Sequence, residues 1–215
     1  MLQLYTYFRS SAAYRVRIAL ALKGLPYTSI PVHLRKDGGA QHSSVFAALN
    51  PAQLVPVLID GDTALTQSLA IIEYLEEAHP QPALLPSDTL GRARVRSIAL
   101  AIACDAHPLC NLRVLQYLQN NLRVTDAQKD AWYTHWMALG LEALEKDLAH
   151  HASTGTYCHG DTPTLADCCL VPHYTNAQRF HIPLQHYPTL TRIVHSCQQL
   201  DAFAQAAPQR QMDSE

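Results

Sequence analysis

The hydrophobic pattern of this chain changes character once, at Pro80, and that change restricts the folds open to it. Before Pro80 the period switches repeatedly. Leu2 to Phe8 reads as a strand, and Ser11 to Lys23 carries helix formers and stops at Gly24, with Pro26 just beyond. Tyr27 to Val32 is β-branched and aromatic, as strands are. Ser43 to Leu49 reads as a short helix ended by Asn50-Pro51. Val55 to Ile59 and Thr63 to Thr66 flank Asp60-Gly61-Asp62, a hairpin signal. Ser68 to His79 reads as a helix stopped by Pro80. The order β-α-β-α-β-β-α predicts an α/β unit with a mixed sheet over residues 1–81. After a proline-containing linker at 82–87, only helical periodicity remains, in segments near 88–121, 126–150, 164–178 and 188–200. The fold class is therefore α/β plus all-α, with an all-helical domain over 88–215. Its Gln/Pro-rich tail from about Ala206 is expected to be loosely ordered.

Bulk properties narrow the function. The 215 residues are 48% hydrophobic, enough for one large or two small cores. A net charge of −2 gives no electrostatic case for nucleic acid or an anionic membrane. No apolar stretch is expected to reach transmembrane length, and the N-terminus has no signal-peptide pattern. The six cysteines form no C-x-x-C pair and no zinc-like spacing with histidine, so no metal is expected. They read as reduced, mostly buried thiols of a cytoplasmic protein. The twelve histidines are scattered and read mostly as surface residues.

The junction of the first strand and first helix reads Arg9-Ser10-Ser11-Ala12-Ala13-Tyr14-Arg15-Val16-Arg17. A helix start offers free backbone N–H groups and the positive end of the dipole, so it favours an anion. A serine hydroxyl there can donate to a thiolate and lower a thiol's pKa. Positions 12 and 13 are alanine, so any thiolate held at this turn comes from a small molecule.

Other positions have both a bland and a functional reading. Val55-Pro56 is a strand-entry proline that is trans in the bland reading. A cis bond would instead turn the Val55 backbone groups toward an extended peptide ligand. Ser68, after Gln67, is a good N-cap, or with the helix N–H groups a carboxylate site. Thr164-Leu-Ala-Asp167 reads as a capping box, which makes Asp167 structural and not catalytic. Asp105, His107, Asn111 and Arg113 interrupt a helical run that Pro108 should kink, and they suit either a cleft or solvent. Arg179 suits a solvated helix end, where a cation complements the dipole. Arg9 sits where an anion site would be.

Taken together these residues resemble the glutathione transferases, and within them the zeta class. The zeta signature, Ser-Ser-Cys followed by an aromatic-Arg-Val-Arg-Ile-Ala-Leu stretch, stands here as Ser10-Ser11-Ala12-Ala13-Tyr14-Arg15-Val16-Arg17-Ile18-Ala19-Leu20. Asn50 to Pro56 and Leu65 to Leu75 look like the family's glutathione-binding segments, and Gly160 to Asp167 like its capping motif. The likeness covers nearly the whole chain, with four segments in order. It implies a thioredoxin-like N-terminal domain, a helical C-terminal domain, a homodimer, glutathione as cofactor and a cis Val55–Pro56 bond. It implies a glutathione set of Ser11, Gln53, Val55, Pro56, Gln67, Ser68, Asp105, His107 and Asn111. Val55 falls to the cysteinyl backbone, Gln67 and Ser68 to the γ-glutamyl end, and Ser10 and Ser11 to the thiol.

The motif cysteine is Ala12 here, which removes mixed-disulfide chemistry but leaves isomerase chemistry, where glutathione supplies the sulfur. Bacterial maleylpyruvate isomerases are similar in lacking this cysteine and in carrying an arginine at the Arg9 position. The resemblance implies cis–trans isomerisation of a maleyl-keto acid, with maleylpyruvate ahead of maleylacetoacetate. Ser10, Ser11 and Arg9 would be catalytic, and Arg9, Arg113 and Arg179 would bind a dicarboxylate substrate, because guanidinium forks match carboxylates. The rivals are a transferase conjugating apolar electrophiles, against which the arginines argue, and a non-catalytic binding protein on the same fold.

Overall fold

The computed structural model describes residues 1–215. Strand β1 (Leu2–Thr6) buries Leu2, Leu4 and Thr6 on one face, as a period of two requires. It pairs in parallel with β2 (Tyr27–Pro31) and antiparallel with β3 (Val57–Asp60), which pairs antiparallel with β4 (Thr63–Thr66). The sheet order is β2-β1-β3-β4, with Leu4 opposite both Ser29 and Leu58. Helices α1 (Ser11–Leu22), α2 (Ser44–Leu49) and α3 (Ser68–Ala78) follow β1, β2 and β4. The β-α-β-α-β-β-α order read from the sequence is the order observed. The hairpin turn itself is one residue shorter than read: Asp60 pairs with Thr63, and the two-residue loop is Gly61-Asp62 with Gly61 at φ +57.

Helix α1 is buried continuously from Ala13 to Leu20 and packs against α3. Ile18, Leu20, Ile71, Ile72 and Leu75 are almost fully buried, each stabilising the fold by roughly 1.5–3 kcal/mol. Lys23, the C-cap of α1, sends its ammonium to Glu76 at 2.7 Å and to the carbonyls of His79 and Pro82 at 2.8 and 2.9 Å. Glu76 in turn accepts from the Leu84 N–H. This buried cluster clips the end of α1 to α3 and to the chain beyond it.

Residues 1–84 together with 198–215 form one compact unit, and residues 85–197 form the other. The last residues therefore group with the α/β unit, whereas the sequence boundaries put all of 88–215 in the helical domain. The expected loose tail is corrected as well. Helix α10 (Asp201–Ala206), which the sequence reading did not separate, packs along α1, and a 3₁₀ turn follows at Pro208–Arg210. Phe203 is buried, its carbonyl accepts from the Tyr14 hydroxyl, and Asp213 accepts from the Phe8 N–H at 3.0 Å.

The second unit holds α4 (Thr89–Leu100), a π-helical segment (Ala101–Ala106), α5 (His107–Leu109), α6 (Leu112–Asn120), α7 (Asp126–His150), α8 (Leu165–Arg179) and most of α9 (Pro188–Gln198). Helix α8 is buried on all sides over Leu165–Tyr174, which makes it the centre of this core. All six cysteines are free, and Cys158, Cys168, Cys169 and Cys197 are buried. The helical succession Thr89–Asn120 contains an 18-residue window of mean hydropathy 1.4 that passes a membrane-span test by length and composition, a test that core helices of soluble proteins also pass, and 33% of that window is buried. No continuous apolar run announces it, because Asp105 and Arg113 lie within the stretch.

Asp167 is fully buried near the start of α8. One oxygen accepts from the backbone N–H and hydroxyl of Thr164, at 2.8 and 2.9 Å, and the other accepts from the Cys158 N–H at 2.9 Å. The carboxylate thus ties the preceding loop to the helix start, in the structural role its sequence pattern implied. Asp167→Ala strands two buried N–H groups and is expected to lower stability by about 2–4 kcal/mol. Urea titration of the purified variant checks this, and a loss below about 1 kcal/mol contradicts the role.

Candidate active site

The chain leaves β1 through a tight turn at Tyr7-Phe8-Arg9-Ser10, closed by the Ser10 N–H donating to the Tyr7 carbonyl at 2.9 Å. Ser10 is the N-cap of α1: its backbone is extended and its hydroxyl accepts from the Ala13 N–H at 3.2 Å. With that lone pair used in the cap, its O–H proton is left to donate outward. Ser11 is the first helical residue and is 7% exposed. The first turn of α1 carries no acid, so nothing in it neutralises the positive helix end. Arg9 is exposed at the corner of the turn, its guanidinium 4.8 Å from the centre of the Phe8 ring.

Two further segments belong to the same unit. The Val55–Pro56 peptide is cis, as the family resemblance implied. Gln53 and Gln67 are non-glycine residues in the left-handed region, at φ 55 and 67. Such conformations cost of order 1–3 kcal/mol each and gather at ligand clamps. Asn50 shapes the loop before the cis bond: its side chain accepts from Ala52 N–H and donates to the Leu54 carbonyl. The Gln53 amide oxygen lies 2.5 Å from Nδ1 of His42, a residue that had no signal in the sequence beyond its type.

The N-cap reading of Ser68 is corrected. Gln67 occupies the cap position, and its positive φ turns the chain so that Ser68 is already helical. The Ser68 hydroxyl instead accepts from Nη1 of Arg15 at 3.3 Å, linking the starts of α1 and α3. Arg15 and Arg17, read in the sequence only as part of a motif, are 1% and 0% exposed. The Arg17 guanidinium donates to Thr6 Oγ1, the Tyr7 and Phe8 carbonyls and the Ala206 carbonyl, at 2.9, 3.3, 3.2 and 3.0 Å. Burial lowers its pKa to about 10, which still leaves it charged at neutral pH.

In the second unit, the expected kink at Pro108 is a more elaborate break. A π-helical segment carries the exposed Asp105, and the helical backbone runs on through His107 into Pro108, which cannot donate to the carbonyl one turn back. π-turns recur at functional sites. Asn111 caps α6, accepting from the Arg113 N–H at 3.1 Å, and Arg113 is exposed. The Trp132 indole N–H holds the Leu109 carbonyl at 2.8 Å, bracing the break. Half-buried His107 lies between Asp105 and Asn111 on this same stretch. Arg179 ends α8, exposed, with its guanidinium 4.8 Å from the Phe180 ring centre and hydrogen-bonded to the Tyr133 phenol. Phe180 stacks on Tyr133 at 3.8 Å between ring centres. Burial pushes the Tyr133 phenol above its ordinary value, and Arg179 works against that rise. Arg179 is thus propped by two aromatic rings, which a purely solvated helix end would not need.

A family model described as the glutathione S-transferase N-terminal domain matches residues 4–83. A probable maleylacetoacetate isomerase of Vibrio cholerae is 53% identical, over 98% of this chain and 97% of its own length. A maleylpyruvate isomerase of a Ralstonia species is 48% identical, over 99% of this chain and 100% of its own. A solved holo maleyl pyruvate isomerase, described as a bacterial zeta-class glutathione transferase, superposes with a TM-score of 0.96 at 47% identity, covering 99% of this chain and 100% of that one. This chain belongs to the zeta-class glutathione transferases. Its cofactor is glutathione, the thiol with which zeta-class structures have been solved: a Methylobacterium extorquens relative, TM-score 0.96 and 42% identical over 99% of each chain, holds malonate and glutathione.

The residues of this zeta-class chain fit that cofactor. An acid-free helix start suits a thiolate, and strained Gln53 and Gln67 flank a cis Val55–Pro56 bond. The capping bond separates the two serines experimentally. Ser10→Ala removes the α1 cap and should cost about 1 kcal/mol, while Ser11→Ala should change stability by under about 0.5 kcal/mol. Denaturant melts of both variants check this.

Proposed function

We propose that this zeta-class enzyme isomerises a maleyl-keto acid from cis to trans with glutathione, converting maleylpyruvate to fumarylpyruvate in aromatic-acid catabolism through gentisate. The observation that carries the reading is the turn at Arg9-Ser10-Ser11: an exposed cation at the corner, two hydroxyls at an acid-free helix start, and no side-chain thiol there. Bound glutathione supplies a thiolate that adds to the conjugated double bond, makes it single and free to rotate, and then leaves. The chain's own work is to hold charge in place. Ser10 donates its O–H toward the thiolate, and Ser11 and the N–H groups of the first turn add to the same positive field. Gln67 and Ser68 take the γ-glutamyl end, Val55 and Pro56 the cysteinyl backbone, and Gln53, Asp105, His107 and Asn111 complete the glutathione set. Arg9 takes a substrate carboxylate, with Arg113 and Arg179 as the further guanidinium groups for a dianion.

The relatives support thiol addition to a maleyl-type acid. An Anaeromyxobacter dehalogenans relative was solved with dicarboxyethyl glutathione and citrate. A dicarboxyethyl group on sulfur is what addition of a thiol across a butenedioic acid produces. Maleylacetoacetate is the second reading, because the Vibrio cholerae relative and others carry that name. We also propose a homodimer seated on the apolar Thr89–Asn120 stretch, where Leu100 is 46% exposed. Light scattering should give twice the chain mass, and Leu100→Glu should halve it.

Purified protein with glutathione should consume maleylpyruvate faster than maleylacetoacetate, followed by ultraviolet absorbance, and should do neither without glutathione. Turnover of neither acid despite glutathione binding would return the chain to a transferase of apolar electrophiles. Arg9→Ala should lower kcat/KM by about 10- to 100-fold, the worth of one charge-assisted contact, and mainly through KM. Unchanged kinetics in that variant would remove Arg9 from the substrate site.

A further inference from the structure

We infer that Asp213 is a positioning residue for the isomerase turn, holding the corner from which Arg9 reaches substrate. The inference rests on the substrate role of Arg9 given above. In the Tyr7–Ser10 turn, Phe8 and Arg9 are the two corner residues, and the closing bond runs from Ser10 N–H to Tyr7 carbonyl. A corner N–H ordinarily points away from the turn and finds water. Here the Phe8 N–H donates instead to Oδ2 of Asp213 at 3.0 Å, across 205 positions of sequence. The Tyr7 and Phe8 carbonyls are held in turn by the buried Arg17 guanidinium. The peptide units on both sides of Phe8 are therefore pinned, one by a carboxylate and both by a cation, and the direction in which Arg9 leaves the chain is set.

The segment that delivers Asp213 is itself anchored. Gln211 donates to the Gln205 and Ala207 carbonyls, each at 3.0 Å. His33 Nδ1 accepts the N–H groups of Arg35 and Lys36, which leaves the proton on Nε2, 3.4 Å from a Glu215 side-chain oxygen. Lys36 pairs with the same carboxylate. Oδ1 of Asp213 is buried without a hydrogen-bond partner, so the carboxylate is placed by the Phe8 bond and by the nearby charge of Arg17. Ser10 is also held by its helix cap, its hydroxyl accepting from the Ala13 N–H. Loss of Asp213 should therefore disturb Arg9 far more than the thiol side of the site.

The test compares full-length wild type, Asp213→Ala and Asp213→Asn by hydrogen exchange at the Phe8 amide, by kinetics with the maleyl acid, and by the absorbance of bound glutathione thiolate across pH. Asp213→Ala should lose protection at Phe8 and raise KM for the acid by roughly tenfold, less than the ~10²-fold that a 1 Å misplacement of a reacting group can cost. The apparent pKa of bound glutathione should not move. Asp213→Asn keeps an acceptor oxygen and should restore both protection and KM. A KM within about twofold of wild type in Asp213→Ala overturns the inference, even if the melting temperature falls. A rise in KM that Asp213→Asn does not restore overturns it too. If wild type turns over neither maleyl acid, the functional reading has failed and exchange at Phe8 decides the positioning alone: protection lost in the alanine variant and kept in the asparagine variant upholds it, and unchanged protection ends it.

Discussion

Among the buried cations of the first unit, Arg17 ties together the most elements. The Arg17 guanidinium reaches β1 at Thr6, the turn at Tyr7 and Phe8, and α10 at Ala206, all from one position on α1. Taking a cation out of water costs several kcal/mol, and the cost is met only when its donors are used. Four hydrogen bonds meet that condition here. The planar fork of arginine allows it, since lysine offers one compact charge in place of spread donors. Strand end, helix, turn and C-terminal segment consequently share one constraint. Arg9 and Ser10, the residues proposed to act on substrate and thiol, come directly after the carbonyls that Arg17 holds.

That arrangement separates what the sequence can reveal from what it cannot. Local order was legible: the period of two in Leu2–Thr6, the helical run from Ser11, the Gly24 stop and the Thr164–Asp167 cap all depend on neighbours a few residues away. The family followed from four segments read in order. The C-terminal segment was not legible, because Gln/Pro-rich residues after Ala206 are ordered by partners some two hundred positions earlier, at Phe8 and His33. The same holds for Ser68. Its type and place suit a helix cap, but a positive φ at Gln67 moves the cap back by one residue and hands the hydroxyl to Arg15. A π-turn before Pro108 has no composition of its own and could not be told from a simple proline kink.

The candidate site shows the same division. The place of Arg9, Ser10 and Ser11 at the turn was legible because a strand-to-helix junction has a known electrostatic sense, whatever surrounds it. Gln53 and Gln67 were named through family likeness, yet the sequence gives no sign of their left-handed backbones. That strain is sustained by well-determined neighbours: Asn50 bonds the loop on two sides before the cis peptide, and α3 begins immediately after Gln67. The first unit spends conformational stability to fix these glutamines, which suits a pocket that must hold a flexible tripeptide in one pose.

Ala12 completes the physical picture of how thiol reactivity is distributed. A helix N-terminus lowers the pKa of whatever thiol lies beside it, and a cysteine in the motif would share that benefit. With alanine there, the field of α1 acts only on a thiol brought from outside. The buried cysteines reinforce the separation. Burial raises the thiol of Cys110 to about 12 and pushes those of Cys158 and Cys197 well above the ordinary range. None of these three can ionise appreciably at neutral pH, so none offers a competing thiolate. The start of α1 thus carries no thiol of its own, and burial holds the thiols of Cys110, Cys158 and Cys197 in their neutral form.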